Sequence, residues 1–504
     1  MMNTFMNTLS NITDFGYTEN GALTHRQTGS KVYDMFAFGS AYRQRGDEDC
    51  ILLFKNAYEE DKNLALKCLF YIRDVRGGGQ GERRFFRVCY NWLAKNDPSV
   101  ARKLIGQIPE FGRYDDLYCV FDTPVEKSAM ELIKQQLMTD MASKENGISL
   151  IAKWCPSENA SSVETKAKAK KIRTYLGITS KQYRKMLSKL REKIKVLERL
   201  MSANRWEEIK FDQIPSKAGL KYKNAFARRD IIAKKYEAFA KDTSTKVKAG
   251  TLYPYEVVAK AVQKNGWSWY GYNFSNLSDV DRAMINKYWD NLPDYLNGSN
   301  SHMMCIIDTS GSMTGNKADA PLNVAISLGM YCAEHMGKDN PFRNHYISFS
   351  SRPQFISIEG VDFVDKVRRI YQTNLCEDTN LEAAFNLLLK AATRPGIKKE
   401  DIPTTIVVVS DMEINSGCRG WNEYNIETEM ETMRRKWASY GVKMPKLVYW
   451  NVNARHNNIL DKGPDVSFVS GMSPTIFKQV LTGKTGYDLM IETICADRYN
   501  SIHI

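Results

Sequence analysis

The stretch Met303-Met304-Cys305-Ile306-Ile307-Asp308-Thr309-Ser310-Gly311-Ser312 decides the fold. Its first five residues are an unbroken apolar run, the pattern of a strand covered on both faces. The next five place a carboxylate and two hydroxyls at alternate positions of a loop, at Asp308, Ser310 and Ser312. Outward from this stretch, strand and helix patterns alternate. Leu322–Met336 reads as a helix, His345–Ser350 as a strand, Leu381–Ala392 as a helix and Thr405–Ser410 as a β-branched central strand. Glu423–Tyr440 (helix), Lys446–Asn451 and Val466–Ser470 (strands) and Pro474–Leu481 (helix) complete the series. Regular βα alternation predicts an open, mostly parallel sheet with helices on both faces, a doubly wound α/β domain. Ligands of such sheets bind beyond the carboxyl ends of the strands, where Asp308 to Ser312 falls.

Asp308, Ser310 and Ser312 are hard oxygen donors, the kind that suits Mg²⁺ or Mn²⁺. Asp411 follows the Val407–Ser410 segment directly, the same topological position on another strand. Thr379 opens the helix that begins near Leu381. This set resembles the metal-ion-dependent adhesion site (MIDAS) of von Willebrand factor A domains. That pattern is a DxSxS loop after the first strand, a later Thr and an Asp after the fourth strand. Asp308, Ser310, Ser312, Thr379 and Asp411 fill its five positions in order. The resemblance implies a bound cation whose open position takes a partner's acidic oxygen, from a phosphate or a Glu/Asp carboxylate. One departure is Cys376-Glu377-Asp378, which stands where the family has glycines. The competing reading makes the loop a capping turn without metal. A metal can also activate water, but no His, Lys or third carboxylate adjoins the set as a base. The expectation is therefore a protein that is not an enzyme, with a metal-dependent nuclease as the weakest alternative.

The chain has 504 residues, enough for two or three domains, and its 43% hydrophobic and 26% charged residues exclude a disordered or collagenous chain. No apolar run approaches the ~20 residues of a membrane helix. Met1–Asn20 lacks the basic and apolar regions of a signal peptide. The ten cysteines are scattered without a CxxC pair, and the six histidines form no HExxH. That argues against zinc ribbons, thioredoxin-type sites and zinc proteases, and for the reduced thiols of a cytoplasmic protein.

Charge is unevenly distributed. Residues 301–504 hold 22 basic and 23 acidic side chains, a net of −1. Residues 161–250 hold 25 and 9, a net of +16, which exceeds the +13 of the whole chain. Such concentration is an electrostatic footprint for phosphate, RNA or DNA; the plain alternative is a solvated helical face.

Residues 1–295 read mostly as helix. Asn63–Arg73 is a Leu- and Ala-rich helix stopped by Gly77-Gly78-Gly79. Helices over Glu82–Ala94 and Val100–Ile108 follow, the second stopping before Pro109. Lys181–Met201 is the clearest, with Tyr183, Leu187, Leu190, Ile194, Leu197 and Met201 at spacings of three and four. Its other face carries Arg184, Lys185, Lys189, Arg191, Lys193, Lys195 and Arg199, and Arg228 and Arg229 extend the basic run. Tyr222, Phe226, Tyr236 and Phe239 interleave, either to stack on unpaired bases or to form core. The turn-rich segment Asn291–Ser301 sets a boundary between a helical module, 1–296, and the α/β domain, 297–504.

The wording LKCLFYIRDVRGGGQGERRFFRVCYNWL and then IPEFGRYDDL within residues 66–117 resembles the TROVE module of Ro autoantigen-type proteins. Lys153-Trp154-Cys155-Pro156-Ser157-Glu158 and Ser202–Ile214 are closer to a sister family of viral and eukaryotic proteins with the same plan. That plan is a ring of HEAT-like helical repeats followed by a von Willebrand A domain; closed ring and open arc both fit here. The resemblance implies RNA binding without catalysis, with small noncoding or misfolded RNA as partner. The clusters Arg73-Asp74-x-Arg76 and Arg113-x-Asp115-Asp116 read as ion pairs and caps at helix ends. GGGQGERR lacks the GK[ST] of a P-loop.

The sequence thus predicts a cytoplasmic RNA-binding scaffold without membrane association. Phosphate contacts are expected at Lys185, Lys189, Lys193, Arg228 and Arg229. The rival is a metal-dependent protein-interaction module, in a viral or other assembly, that grips an acidic side chain of a partner.

Overall fold

Ten strands form among the residues that the computed structural model describes, which are 14–144, 147–194, 197–268, 271–349, 351–358, 362–372, 378–415 and 427–504. They are β1 (Phe15–Tyr17), β2 (Leu23–His25), β3 (Lys264–Ser268), β4 (Gly271–Phe274), β5 (Met303–Asp308), β6 (His345–Phe349), β7 (Gln354–Ser357), β8 (Thr405–Ser410), β9 (Lys446–Asn451) and β10 (Val466–Ser470). Six build one sheet in the order β10-β9-β8-β5-β6-β7. Neighbours run parallel except β6 and β7, which are antiparallel. The apolar runs explain the centre: β5 is buried along its whole length, and β8 and β9 at all but the first residue, while β10, at the edge, is buried as well. A helical N-terminal region followed by this mixed, mostly parallel sheet gives the expected α plus α/β plan.

By packing, the chain divides into two units, 1–68 with 249–496, and 69–248 with 497–504. In the first unit, helix Pro321–His335 lies against β5 and against helix Pro254–Val262, so nearly all its residues are buried. Gly329 permits that approach, since a Cβ there would stand 1.8 Å from Ile307 Cδ1. Two short hairpins, β1–β2 and β3–β4, interrupt the stretch expected to be helical. The first docks on the α/β sheet's loops through paired N–H to C=O bonds between His25 and Ile459, both 3.0 Å. Helix Lys31–Phe38 then packs on β10: the Phe468 N–H donates to Tyr33 Oη at 2.9 Å, and Ser470 Oγ to Phe36 O at 3.2 Å. This covers an edge strand that would otherwise be open to pairing.

In the second unit, the glycine turn after Arg73 is built by Asp74, whose Oδ1 accepts the N–H groups of Arg76 (2.9 Å) and Gly77 (2.8 Å). Asp116 is the hub of the other turn. It accepts from Arg73 at 2.7 Å, from Arg87 Nε at 2.7 Å and from the Arg113 N–H at 2.9 Å. The two arginine–aspartate clusters are therefore structural, and they bind each other.

Several element limits differ from the sequence reading. Pro109 does not stop a helix at Ile108. Helix Pro98–Leu104 ends earlier, and Pro109 sits in the first turn of helix Ile108–Phe111, where its missing N–H costs nothing. The long basic helix is two: Ser180–Lys193 and Leu197–Ser202, with residues 195 and 196, and so Lys195, outside the described residues. Leu197 keeps the buried stripe in phase across the break, which is why the periodicity reads as one helix. The helix expected over Glu423–Tyr440 is Glu429–Ser439, residues 423–426 lying outside the described residues. Ser350, expected in β6, also lies outside them. Strand β7 had no sequence signal, because its alternating half-exposed pattern is that of a polar edge. Cys50, Cys68, Cys89, Cys155, Cys305 and Cys332 are buried thiols.

Candidate functional site

Asp308 ends β5 and is completely buried. Its Oδ1 accepts the Ser310 N–H at 2.9 Å, and its Oδ2 accepts the hydroxyl of Ser410 at 2.6 Å. Ser410 ends β8, the parallel neighbour of β5, and its Oγ also accepts the Met412 N–H at 2.9 Å. One serine thus joins the loops beyond two strand ends. A single 3₁₀ turn, Gly311–Met313, folds the loop back with Met313 as its buried anchor. That turn sets Ser310 Oγ and Ser312 Oγ 3.1 Å apart.

Asp411 is also fully buried. Its Oδ1 accepts the Glu413 N–H at 3.2 Å, and its Oδ2 meets the Arg455 guanidinium at 2.9 Å. Thr379 precedes Asn380, whose side chain caps helix Leu381–Ala392 by accepting the Ala383 N–H at 2.9 Å. Thr379 is bound to Asn415, four residues past Asp411: its N–H donates to Asn415 Oδ1 at 3.4 Å, and its carbonyl accepts the Asn415 N–H at 2.9 Å. The structure therefore gathers Asp308, Ser310, Ser312 and Asp411 at adjacent strand ends and ties Thr379 to the Asp411 segment. Of the unusual residues before Thr379, Asp378 donates its N–H to Ser351 Oγ at 3.2 Å, and Cys376 and Glu377 lie outside the described residues.

Burial raises the pKa of Asp308, against hydrogen bonds from Ser310 and Ser410 that lower it. Burial and the charge of Asp308 raise that of Asp411, against the pull of Arg455. Two buried carboxylates, one of which raises the other's pKa, beside the hydroxyls of Ser310, Ser312 and Ser410, fit a hard divalent cation, which would favour both charged forms.

Sequence reasoning missed Ser410, Glu413, Arg455, His456 and Glu19; the expectation that no His or third carboxylate adjoins the set is corrected, since Glu413 and His456 follow strand ends beside Asp411. Arg455 and His456 follow β9 by a few residues, so the strand-end rule that found Asp411 also points to them. Glu19 has no such signal, because it arrives from the N-terminal hairpin. Arg455 Nη1 holds Glu19 Oε2 at 2.5 Å, and His456 Nδ1 meets Glu413 Oε1 at 2.9 Å.

The expected phosphate contacts lie in the other unit, on helix Ser180–Lys193 and beyond helix Ser216–Ala227. Tyr183, Leu187 and Leu190 are buried, which leaves Lys185 and Lys189 exposed, without an ion pair or hydrogen bond among the described residues. Lys193 is half-buried, and its Nζ donates to Ser143 O at 2.7 Å. Arg228 is exposed; Arg229, also exposed, lies 4.8 Å over the Trp206 ring. Phe226 and Tyr236 are buried, and both pack on Phe211 together with Phe239, so these aromatics are core. Tyr222 is half-exposed, with its hydroxyl on Glu198 at 3.0 Å.

Fold and site together define a class: a helical N-terminal region followed by an α/β domain with an Asp-x-Ser-x-Ser loop at its strand ends. The profile described as domain of unknown function (DUF2828) matches residues 18–109 and 128–300, just over half the chain, and the chain belongs to that family. A second profile, also described as a domain of unknown function (DUF7788), matches residues 302–498. Uncharacterized protein L728 of Acanthamoeba polyphaga mimivirus is 28% identical over 515 aligned residues, which cover 94% of this chain and 85% of that one. The crystal structure of the Deinococcus radiodurans RO (RSR) protein superposes with a TM-score of 0.53 at 15% identity, covering 91% of this chain and 100% of that one. The expected likeness to Ro proteins thus holds for the fold.

Proposed function

We propose that this protein is a non-catalytic, Ro-like RNA-binding scaffold whose α/β domain carries a cation site. The observation that carries the reading is the net charge of +16 within residues 161–250. Lys185, Lys189 and Arg228 within it are exposed and have no acidic partner among the described residues. Such a surface binds phosphates at a cost in counterions, so its affinity falls steeply with salt. Lys193 and Arg229 are secondary contacts, since each already has a partner. The shared fold with the RO protein supports the same reading. Small structured or single-stranded RNA is the proposed ligand and the cytoplasm the proposed location. No helix among the described residues is long and apolar enough to cross a membrane.

Asp308, Ser310, Ser312, Thr379 and Asp411 are the proposed ligands of Mg²⁺ or Mn²⁺. When bound, the ion offers an open position to an anionic oxygen. A specific observation favours a protein partner at this position: Arg455, paired with Asp411, already holds a carboxylate, that of Glu19.

Two experiments test the reading. Protein purified at low salt should carry nucleic acid, seen in its absorbance ratio, removed by high salt and identified by sequencing. A clean protein that fails to shift single-stranded and hairpin RNA at ~100 mM salt overturns RNA binding. Calorimetric titration with MnCl₂ should show binding to the wild type and none to a folded Asp308→Ala variant; equal binding by both overturns the metal assignment.

A further inference from the structure

We propose that Arg455 is a second anion-binding group of the cation site and that Glu19 is its built-in carboxylate occupant, so that the site takes an external carboxylate by displacing Glu19. The inference rests on the cation reading above and adds a ligand class to it.

The turn between β1 and β2 is docked on the segment just past Asp411. Thr18 Oγ1 donates to Ile414 O at 2.6 Å, the Glu19 N–H to Glu413 Oε2 at 2.7 Å, and Asn20 Nδ2 to Glu413 O at 2.6 Å. Gly21 forms a bridge with Asn415. These contacts place the Glu19 carboxylate 2.5 Å from Arg455 Nη1, while Nη2 of the same guanidinium holds Asp411 at 2.9 Å. His456 Nδ1 stands 3.7 Å from Glu19 Oε1. One arginine therefore connects a carboxylate of the cation site to a carboxylate brought from about 390 residues away in sequence.

Exposure separates the two. The side chains of Asp411 and Glu413 are fully buried, whereas those of Glu19 and Arg455 are 38% and 27% exposed. Solutes can reach the Glu19–Arg455 pair, and a partly exposed ion pair is weak enough to exchange. The Arg455 Nε–H is buried and has no acceptor among the described residues, so the exposed Nη1 edge is where an external anion would meet the guanidinium. The occupant observed at this seat is a carboxylate, held by Nη1 alone while Nη2 stays on Asp411. The buried carboxylates of Asp411 and Glu413 beside it disfavour a more highly charged phosphate.

The hairpin holds its carboxylate at high effective concentration, so removing the charge should release the seat. Glu19→Gln keeps the backbone N–H bond to Glu413 and with it the docked turn. The probe is N-acetylglutamate titrated into the full chain loaded with Mn²⁺, with paramagnetic broadening of its methylene protons as readout, normalised to bound metal. Glu19→Gln should raise its apparent affinity about tenfold, as expected for loss of an internal competitor. Adding Arg455→Met should cancel that gain. No gain in Glu19→Gln, or a gain that survives Arg455→Met, overturns the proposal. So does a gain for inorganic phosphate but not for N-acetylglutamate. Calorimetry with MnCl₂ separates the two levels. If Asp308→Ala binds Mn²⁺ as the wild type does, the cation reading fails and this one falls with it. If only the Glu19 result fails, the cation site stands.

Discussion

Asp116 has no exposed surface and accepts hydrogen bonds from three arginines, the side chains of Arg73 and Arg87 and the backbone of Arg113. Arg73 is as deeply buried, with 3% of its side chain exposed, whereas Arg87 is 30% exposed. Removing one partner of a buried pair strands the other in a poor solvent, which costs far more than removing an exposed one. Asp116→Asn should therefore destabilise the protein by about 3–5 kcal/mol. Arg87→Met should cost about 1 kcal/mol or less. Chemical denaturation followed through the transition of the helical unit checks the order, and equal costs would refute it. The same residues show what is legible at this scale. Both clusters were readable as structural from their local spacing, but not their mutual pairing, because spacing says nothing about a partner 43 residues away. The placement of Asp308 and Asp411 beyond adjacent strand ends was readable for the opposite reason: the topology of a parallel sheet collects residues that follow strand ends. Glu19 follows no such rule and became visible only in three dimensions.

At the scale of elements, the buried parallel strands were the most legible. β5, β8, β9 and β10 form over the very residues whose apolar runs predict them. Burial on both faces keeps their middles apolar, and the polar residues Thr405, Ser410, Lys446, Asn451 and Ser470 mark ends. The short hairpins and β7 were illegible, since strands of three to five residues without a buried apolar run carry too little periodicity. Helix-to-sheet contact is likewise a tertiary fact, and Gly329 is its clearest instance. A methyl group at that position would overlap the side chain of Ile307, which is fully buried within β5. Gly329→Ala raises helix propensity but forces the helix away from the sheet. The overpacking should win, with a net loss of about 1–3 kcal/mol. Since Ile307 directly precedes Asp308, the displacement reaches the cation loop. Thermal denaturation with and without MnCl₂ should show a lower midpoint and a smaller metal-induced rise than in the wild type; an unchanged midpoint would show that the helix contact has slack.

For the whole molecule, the division of charge separates two kinds of chemistry. The +16 segment falls in the unit that lacks the cation set, and the stretch with the cation set is close to neutral, at −1. On the proposed reading, long-range attraction of a polyanion belongs to the helical unit and short-range coordination to the α/β unit. The two respond differently to salt. Each phosphate neutralised by a lysine or arginine contributes about −0.7 to the slope of log affinity against log salt on single strands. Lys185, Lys189 and Arg228 are the described candidates with no internal partner. Replacing all three with glutamate should flatten that slope by about two. It should weaken binding evenly across RNA sequences, because phosphate contacts carry no base information. Filter binding of a single-stranded RNA from about 50 to 200 mM salt gives the slope directly. The same variant should bind Mn²⁺ with wild-type affinity. A slope that does not change would place the phosphate contacts elsewhere on the helical unit, and a loss of Mn²⁺ binding would show that the two chemistries are coupled.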